Sequence, residues 1–284
     1  MQQNELVIGV DLGASNVRAA LVKNGEILRI AKSPLPKDKS YSGVLNTLFS
    51  VIDQVHQAGV IGIGVGVPSV VNRKDGIVYN VQNIPEWVEV PLKQILQERY
   101  NCVVQVNNDA NCFALGECLF GQGRQFKNFV GLAIGTGVGG GIINNGKLLR
   151  DVNCGSGEFG EIPYLDGRFE DYCSSLFFTN HYQTDGATVF ERSLAGNEEA
   201  LRISHEFGKH LGKLFYTIIL ALDPEAILVG GSIAKAFDLY RDTALAELTK
   251  FPYPKSIEKI IIQPTNTLEV QLLGSAALYF DALD

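Results

Sequence analysis

The fold is decided by the stretch VIGVDLGASNVRAALV, residues 7–22, which predicts a strand, a turn rich in small residues and a second strand. The turn runs from Asp11 to Asn16. A third strand follows Asn24-Gly25, a pair that is typical of a two-residue hairpin turn. The start of the chain is therefore predicted to form an antiparallel meander of three strands.

The same order of elements occurs a second time, over residues 129–150. There a strand, a small-residue turn and a second strand are followed by the hairpin pair Asn145-Gly146 and a third strand. This duplication, with strands that alternate with helices elsewhere, predicts an α/β fold of two similar lobes with mixed sheets and a cleft between them. The predicted helices lie over 41–57, 88–100, 110–120 and 198–222 and from about Gly274 onward, and the other strands over 60–67, 102–106, 226–229 and 260–263.

The composition is that of a globular protein of one or two domains: 284 residues, 46% of them hydrophobic, with a net charge of −7. The acidic excess is spread along the chain, so neither nucleic acid nor an anionic membrane is expected as a main partner. The five cysteines have no CxxC spacing, which argues against a disulfide framework and a four-cysteine zinc site. The N-terminus lacks the pattern of a signal peptide, and we expect a cytoplasmic protein with reduced thiols.

Both small-residue turns are candidate phosphate sites. A turn without bulky side chains exposes backbone N–H groups and lets a phosphate approach them closely. Asp11, at the end of the first strand, adds a carboxylate that can reach a hydrated Mg2+ on those phosphates. One such turn alone is equally an ordinary hairpin, but two equivalent turns favour a nucleoside triphosphate bound between the lobes. A dinucleotide-binding pattern at Gly135, Gly137 and Gly140 is disfavoured, because strand rather than helix is predicted after the third glycine.

Carboxylates and amides cluster at two further places. Asn108 and Asp109 lie where a predicted strand meets a helix, so Asp109 could accept a hydroxyl proton, or the string could simply cap the helix. Glu158 and Glu161 lie three residues apart among glycines and are either partners for sugar hydroxyls or surface charge. Gly230-Gly231, directly after a strand, would let a planar adenine or ribose approach the backbone, or forms an ordinary turn.

Six segments, in order, resemble the ROK family of sugar kinases and repressors, which belongs to the actin-like ATPase superfamily of two RNase H-like lobes. The resemblance covers essentially the whole chain and implies two five-stranded mixed sheets flanked by helices. The segments are VIGVDLGASNVRAALV (7–22), IGIGVGVPSVVNRKDGIV (61–78), VNNDANCFALGE (106–117), LAIGTGVGGGIINNGKLL (132–149), GSGEFGEI (155–162) and DPEAILVGGSIA (223–234).

The resemblance also implies roles for individual residues. Asp109 matches the base that takes the proton from the sugar hydroxyl, and Glu170 matches the glutamate that closes the sugar site. The other implied sugar ligands are Asn83, Asn108, Glu158 and Glu161. The implied ATP contacts are Asp11 through Mg2+, the phosphate-loop residues Gly13, Ser15, Asn16, Gly135, Thr136 and Gly137, and the adenosine-site residues Gly230 and Gly231.

The chain departs from the family pattern around Glu161. The family usually has His at that position, followed by a cysteine cluster that binds zinc, and the stretch from Pro163 to Glu170 contains no cysteine. We therefore expect no zinc site, and we expect the loop to be held by packing of Tyr164, Phe169 and Tyr172. The first phosphate loop also departs, with Ser15-Asn16 where Thr-Lys is common.

The expected activity is ATP-dependent phosphorylation of a hexose, with glucose as the default substrate. Alternatives are N-acetylmannosamine, N-acetylglucosamine, allose, mannose or fructose as substrate, another phosphoryl donor, and a catalytically weak sugar sensor. A repressor is disfavoured because the first phosphate loop begins at Asp11, which leaves no room for a preceding DNA-binding domain. The expected lobes are 1–117, with a returning helix over about 272–284, and 118–271, and the expected assembly is a homodimer.

Overall fold

The structure is a computed structural model that describes residues 5–150 and 152–282. Its contacts divide the chain into two compact units. The first unit consists of the chain up to Gln125, residues Ile143–Ser156 and the chain from Thr267 onward; the second consists of Phe126–Ile142 and Gly157–Asn266. This grouping differs from the sequence-based lobes in three respects, since the first unit continues to Gln125, takes in Ile143–Ser156 and resumes at Thr267 rather than at about 272.

Along the chain, runs of strands are followed by single helices or runs of helices. The strands are β1 (Leu6–Leu12), β2 (Asn16–Lys23), β3 (Glu26–Pro34), β4 (Val60–Val67), β5 (Val70–Asn72), β6 (Ile77–Tyr79), β7 (Glu89–Val90), β8 (Val103–Asn108), β9 (Phe129–Ile134), β10 (Val138–Asn144), β11 (Lys147–Leu148), β12 (Pro163–Tyr164), β13 (Gly167–Arg168), β14 (Ala226–Gly230) and β15 (Ile261–Pro264). The α-helices are α1 (Tyr41–Val55), α2 (Leu92–Tyr100), α3 (Asp109–Phe120), α4 (Phe169–Cys173), α5 (Ser175–Tyr182), α6 (Gly186–Leu194), α7 (Glu198–Leu222), α8 (Phe237–Leu248), α9 (Pro254–Ile257) and α10 (Val270–Asp281).

Two five-stranded sheets repeat one topology. Their strand orders are β3-β2-β1-β4-β8 and β11-β10-β9-β14-β15, so in each an antiparallel meander is extended by two parallel strands. Both predicted hairpin turns take the left-handed backbone that Asn-Gly favours: φ is 53° and 82° at Asn24-Gly25, and 52° and 74° at Asn145-Gly146. The α/β fold and its internal repeat are thus confirmed.

The first unit buries both faces of its sheet. On one face, α1 presents an apolar stripe that includes the fully buried Val44, Leu48 and Ile52 to β1, β2 and β3. On the other face α10 packs against β1 and β4, which is possible because glycine occupies the contact points. A Cβ at Gly64 would lie 2.7 Å from the carbonyl carbon of Ser275 in α10, closer than real Cβ atoms come.

The core of the second unit is built around the long helix α7. Its apolar residues recur every three or four positions and form one buried face, which contains Phe207, Leu211 and Phe215. Aromatic rings from α5 and α8 pack on this face, with Phe177 5.4 Å and Tyr240 5.5 Å from the Phe207 ring centre. Rings dominate this core, and edge-to-face contacts such as that of Tyr240 with Phe207 stabilise it beyond their buried area.

Some predicted elements are wrong at their ends. The expected helix over 88–100 is a two-residue strand, β7, followed by a helix that begins only at Leu92, because Pro91 lacks the N–H and the freedom in φ to continue inside a helix. The predicted strand at 147–150 ends at Leu148, and the last helix begins at Val270 rather than near Gly274. Within the described residues, no helix is long and apolar enough to cross a membrane.

Candidate functional site

The carboxyl ends of β1, β4 and β8 carry the polar residues of the first unit. The parallel register pairs Asp11 with Gly66 and Gly66 with Asn107, so these residues form one row across three adjacent strands. At about 4.8 Å between neighbouring strands, the backbones of Asp11 and Asn107 lie about 10 Å apart. Because ligands of α/β sheets bind at the carboxyl ends of the strands, this row is the candidate site of the first unit.

Asp109 is the first residue of α3 and lies two residues beyond this row. The helix cap is Asn108, whose side-chain oxygen accepts the N–H groups of Ala110 (2.8 Å) and Asn111 (3.4 Å). The residue that caps α3 is therefore Asn108 and not Asp109. Asp109 is partly buried and lies at the positive end of the helix dipole, which favours an ionised carboxylate. Burial raises the pKa of the neighbouring Cys112 thiol, and the charges of both Asp109 and Asp11 add to this rise, which places the two carboxylates near the same buried atom.

Asp11 is held by an arginine that no motif in the sequence identified. Arg18, across the β1–β2 pair, donates from Nη2 (2.7 Å) and Nε (3.1 Å) to Oδ2 of Asp11. Its Nη1 lies 2.5 Å from the carboxylate of Glu269, just before α10. Burial alone would lower the pKa of Arg18, but the hydrogen bonds and charges of its two carboxylate partners raise it, so the guanidinium stays charged. In the described part of the chain, no hydrogen bond reaches Oδ1 of Asp11, which is thus available to a hydrated cation.

The first small-residue turn is closed by a hydrogen bond from Gly13 N–H to the carbonyl of Asn16, at 2.9 Å. Ser15 is exposed at its tip. The turn is braced from outside by the segment after β3, since Leu35 N–H donates to the carbonyl of Ser15 (2.9 Å) and Lys39 Nζ donates to the carbonyl of Ala14 (3.2 Å). The sequence does not single out Lys39, because no local pattern identifies a lysine that contacts a turn 25 residues earlier in the chain.

Asn83 lies in the loop between β6 and β7 and is partly buried. The loop is compact, with Trp87 N–H bonded to the carbonyl of Ile84 at 2.8 Å and the indole fully buried. Among the described residues, no hydrogen bond joins Asn83 to Asn108 or Asp109. Its assignment as a sugar ligand stays a prediction.

In the second unit, the other small-residue turn lies beside Gly230 and Gly231. Gly135 N–H bonds to the carbonyl of Gly137 at 3.0 Å, which closes the turn and leaves Thr136 exposed at its tip. Gly231 has a φ of +87°, and a Cβ there would lie 2.7 Å from the carbonyl carbon of Ile134, the residue before the turn. Only glycine allows this approach, so the candidate phosphate turn and the candidate adenosine region share the carboxyl edge of β9 and β14.

Glu170 is bonded directly to the end of that turn. Its Oε2 accepts the N–H of Val138 at 3.0 Å, and a Cβ at Gly137 would lie only 2.5 Å from the same oxygen. The segment around Glu158 is bonded to the same strand, since Gly140 N–H donates to the carbonyl of Gly157 at 2.8 Å. The structure therefore brings Glu158 and Glu170 to the start of β10.

Arg168 links the acidic residues of this region. It forms ion pairs with Glu161 and, at 3.0 Å, with Glu170; the Glu161 side chain is 54% exposed and the Glu170 side chain 16%. Glu161 thus lies nearer the surface than the other two glutamates of the set. Among the residues that the structure describes, no group of three or more His, Cys, Asp and Glu side chains could hold a metal ion.

The loop from Pro163 to Phe169 is held by aromatic packing, as expected. The rings of Tyr164 and Phe169 stack at 4.3 Å, and Tyr172 meets Tyr164 edge-on at 5.4 Å. The Tyr164 hydroxyl also lies 3.1 Å from Nδ1 of His210 in α7, and burial raises the pKa of Tyr164 to about 12. The expectation that these three rings pack together is confirmed.

The sequence profile of the ROK family matches residues 7–281. This chain belongs to the ROK family. A glucokinase from Halalkalibacterium halodurans is 31% identical over 271 residues, with 81% of each chain covered. An N-acetyl-D-glucosamine kinase from Yersinia pseudotuberculosis is 29% identical over 263 residues, which cover 82% of this chain and 86% of the relative.

The fold of this ROK protein is also that of solved relatives. The structure of a ROK family glucokinase from Streptomyces griseus in complex with glucose and AMPPNP has a TM-score of 0.83 and 25% sequence identity, and the likeness covers 96% of this chain and 98% of that chain. The family resemblance drawn from the six sequence segments is therefore confirmed.

Proposed function

We propose that this ROK protein is an ATP-dependent hexose kinase in which Asp109 is the general base. The observation that supports this most strongly is the row at the carboxyl edge of the first sheet, which runs from Asp11 to Asn107, with Asp109 two residues beyond it. The similarity to a glucokinase and to an N-acetyl-D-glucosamine kinase supports the same class of reaction.

In this proposal Asp109 orients the sugar hydroxyl and takes its proton as the hydroxyl oxygen attacks the γ-phosphorus, whose bond to the β–γ bridging oxygen breaks to release ADP. The helix dipole of α3 favours an ionised carboxylate, and Asn108 fixes the first turn of that helix through its two cap hydrogen bonds. Phosphoryl transfer depends mainly on positioning and on charge stabilisation, so a rigid base at a helix start and donors around the phosphates are what the reaction requires.

The phosphates of ATP would be bound at the two small-residue turns, by Gly13, Ser15 and Asn16 in the first unit and by Gly135, Thr136 and Gly137 in the second. Gly230 and Gly231, beside the second turn, would admit the adenosine. Asp11 fits a hydrated Mg2+ because Arg18 occupies only its Oδ2. When bound with ATP, Mg2+ neutralises charge on the β- and γ-phosphates.

The sugar would be bound by Asn83, Asn108, Glu158, Glu161 and Glu170, besides Asp109. Glucose is the first substrate to test, and N-acetylglucosamine, N-acetylmannosamine and allose are the alternatives. Glu161 is exposed and paired with Arg168, so its carboxylate would accept a hydrogen bond from the sugar on the solvent side of the other proposed sugar ligands. We further propose a cytoplasmic homodimer that needs neither zinc, nucleic acid nor a membrane.

The test is a coupled ADP-release assay with Mg-ATP over a panel of hexoses and N-acetylhexosamines. We expect one sugar to be phosphorylated well above the rest, and Asp109→Asn to lower kcat by a factor of about 10² to 10⁴ while the Kd values for sugar and ATP change little. Asp242→Asn, which alters an exposed aspartate of α8, is the matched control and should keep full activity.

Activity of Asp109→Asn within a few-fold of wild type would remove Asp109 from its proposed role. Lack of turnover with every sugar, from folded protein that binds ATP, would contradict the kinase and favour the sugar sensor.

A further inference from the structure

The segment from Leu35 to Ser40 is attached to the first small-residue turn at two points. Leu35 N–H donates to the carbonyl of Ser15, and the Lys39 ammonium donates to the carbonyl of Ala14. All of these residues belong to the first unit. The ammonium of Lys39 is therefore held at the turn itself rather than at the end of a mobile surface side chain.

The backbone of Lys39 is fixed in an unfavourable conformation. Its φ is +47°, in the left-handed region that L-residues adopt at a cost and glycine adopts freely. On one side Lys39 N–H closes a turn onto the carbonyl of Pro36 at 3.1 Å, and on the other Ser40 caps α1 by accepting the N–H of Gly43. Hydrogen bonds on both sides therefore hold the backbone of Lys39 in place, and the start of its side chain is fixed with it.

No carboxylate of the described residues neutralises the charge of Lys39. Its hydrogen-bond partner is a neutral carbonyl, and within 5–150 and 152–282 no carboxylate forms an ion pair with it. Arg18, the other cation described at this end of the sheet, differs because its guanidinium already forms ion pairs with Asp11 and Glu269. An ammonium has three donors, and one bond to Ala14 leaves two of them for an anion. The side chain is partly buried, which reduces screening by solvent.

We propose that Lys39 is a phosphate-binding residue that pairs with the polyphosphate of the nucleotide at the first turn. This rests on the proposed function, because it takes that turn as a phosphate site. The ammonium supplies positive charge that the turn residues Gly13, Ala14 and Ser15 lack, and its bond to Ala14 positions it before the nucleotide arrives. The role is binding and orientation of phosphate, and Asp109 remains the group that moves the proton.

The experiment compares Lys39→Gly with Lys39→Arg, and uses Lys37→Met as the matched control because Lys37 is an exposed lysine of the same loop. Binding of Mg-AMPPNP and of adenosine is measured by calorimetry, and thermal stability is measured without ligand. Lys39→Gly should weaken Mg-AMPPNP at least tenfold and leave adenosine within twofold, because only the phosphates lose a partner.

The glycine variant also separates phosphate binding from a structural role of the lysine. Because glycine relieves the strain at φ +47°, the Tm of Lys39→Gly should not fall by more than about 2 °C. A purely structural lysine would instead lower Tm and weaken adenosine as well. Lys39→Arg should recover most of the Mg-AMPPNP affinity, and Lys37→Met should match wild type.

The outcomes separate the two proposals. If wild type binds Mg-AMPPNP and Lys39→Gly binds it equally well, Lys39 does not contact phosphate and the kinase proposal still stands. If Lys39→Gly loses affinity for adenosine in the same proportion, the lysine shapes the turn and the phosphate role is wrong. If wild type itself does not bind Mg-AMPPNP, the nucleotide site is wrong and both proposals fall.

Discussion

Replacing Gly64 of β4 by alanine should destabilise the first unit strongly. The added Cβ would lie 2.7 Å from the carbonyl carbon of Ser275, closer still to its oxygen, and 3.3 Å from Cβ of Leu278, whereas real Cβ atoms essentially never come within 3.0 Å. The obstruction is helix backbone, so no side-chain rotation removes it. Helix α10 would have to withdraw from the sheet by about 1 Å, and a gap of that size forfeits up to half of the dispersion energy of each contact it opens.

The size of the effect follows from what α10 buries. Leu272 and Ala277 are fully buried, and Leu278 is nearly so. Overpacking costs typically about 1–3 kcal/mol, and a clash with backbone under a buried helix belongs at the upper end, so we expect a loss of about 3 kcal/mol. For a protein of this size that loss lowers Tm by about 6–12 °C.

Urea denaturation, monitored by tryptophan fluorescence, measures this loss of stability in the first unit. Trp87 is the single tryptophan of the chain, lies in the first unit and is fully buried, so its signal reports the unfolding of that unit. Gly64→Ala should lower the midpoint with an unchanged slope.

Two other glycines provide graded controls. In Gly62→Ala the new Cβ would lie 2.8 Å from Cε2 of Tyr279, a ring that can rotate away, so a smaller loss is expected. In Gly155→Ala the nearest atom is 4.0 Å away, and no loss is expected. A midpoint for Gly64→Ala that equals that of Gly155→Ala would refute the close seating of α10 on β4.

Two further predictions concern the second unit. Burial lowers the pKa of His210 below its usual value of about 6.5, against the opposing charge of Glu206 and with small contributions from His181 and Lys209. The imidazole is therefore neutral in the native state and protonates first in the unfolded state, so stability should fall as the pH drops below about 6.5, by at most about 1.4 kcal/mol per pH unit. Calorimetry from pH 8 to 5 should show a shallower fall for His210→Gln, and an equal fall would contradict the assignment. Treatment of the nucleotide-free protein with a zinc chelator should leave Tm unchanged and release no stoichiometric zinc, because packing around Tyr164 holds the loop from Pro163 to Phe169. Release of one equivalent of zinc would contradict this prediction.

Local sequence patterns predicted the repeated part of the fold well. The pairs Asn24-Gly25 and Asn145-Gly146 specify hairpins through their own backbone preferences, and the apolar runs of β1 and β9 specify buried strands, so neither depends on distant contacts. Helices α4, α5, α6, α8 and α9 were not predicted. Four of them have nine residues or fewer. The weak periodicity of α5 gives little signal, because its rings Phe177 and Phe178 are buried by neighbours distant in sequence.

The candidate site was predictable where one segment carries it and not where distant segments meet. Asn108 and Asp109 follow one strand directly, and the glycines of each turn are adjacent in sequence. The ion pair of Arg18 with Glu269 joins residues 251 positions apart, and the bond of Val138 to Glu170 joins residues 32 apart. No spacing rule within one sequence connects such pairs, because tertiary packing alone decides them.

The placement of α10 has a consequence for how the protein folds as it is synthesised. The face of the first sheet formed by Val7, Ala20 and Val22 is covered by Leu272 and Ala276, which are translated long after it. Residues 157–266 of the second unit are contiguous, so that unit can reach its native state on the ribosome while this face of the first sheet is still uncovered. The nascent chain therefore exposes an apolar surface during most of its translation. Chaperones that bind apolar surfaces can bind this face until α10 emerges and covers the sheet.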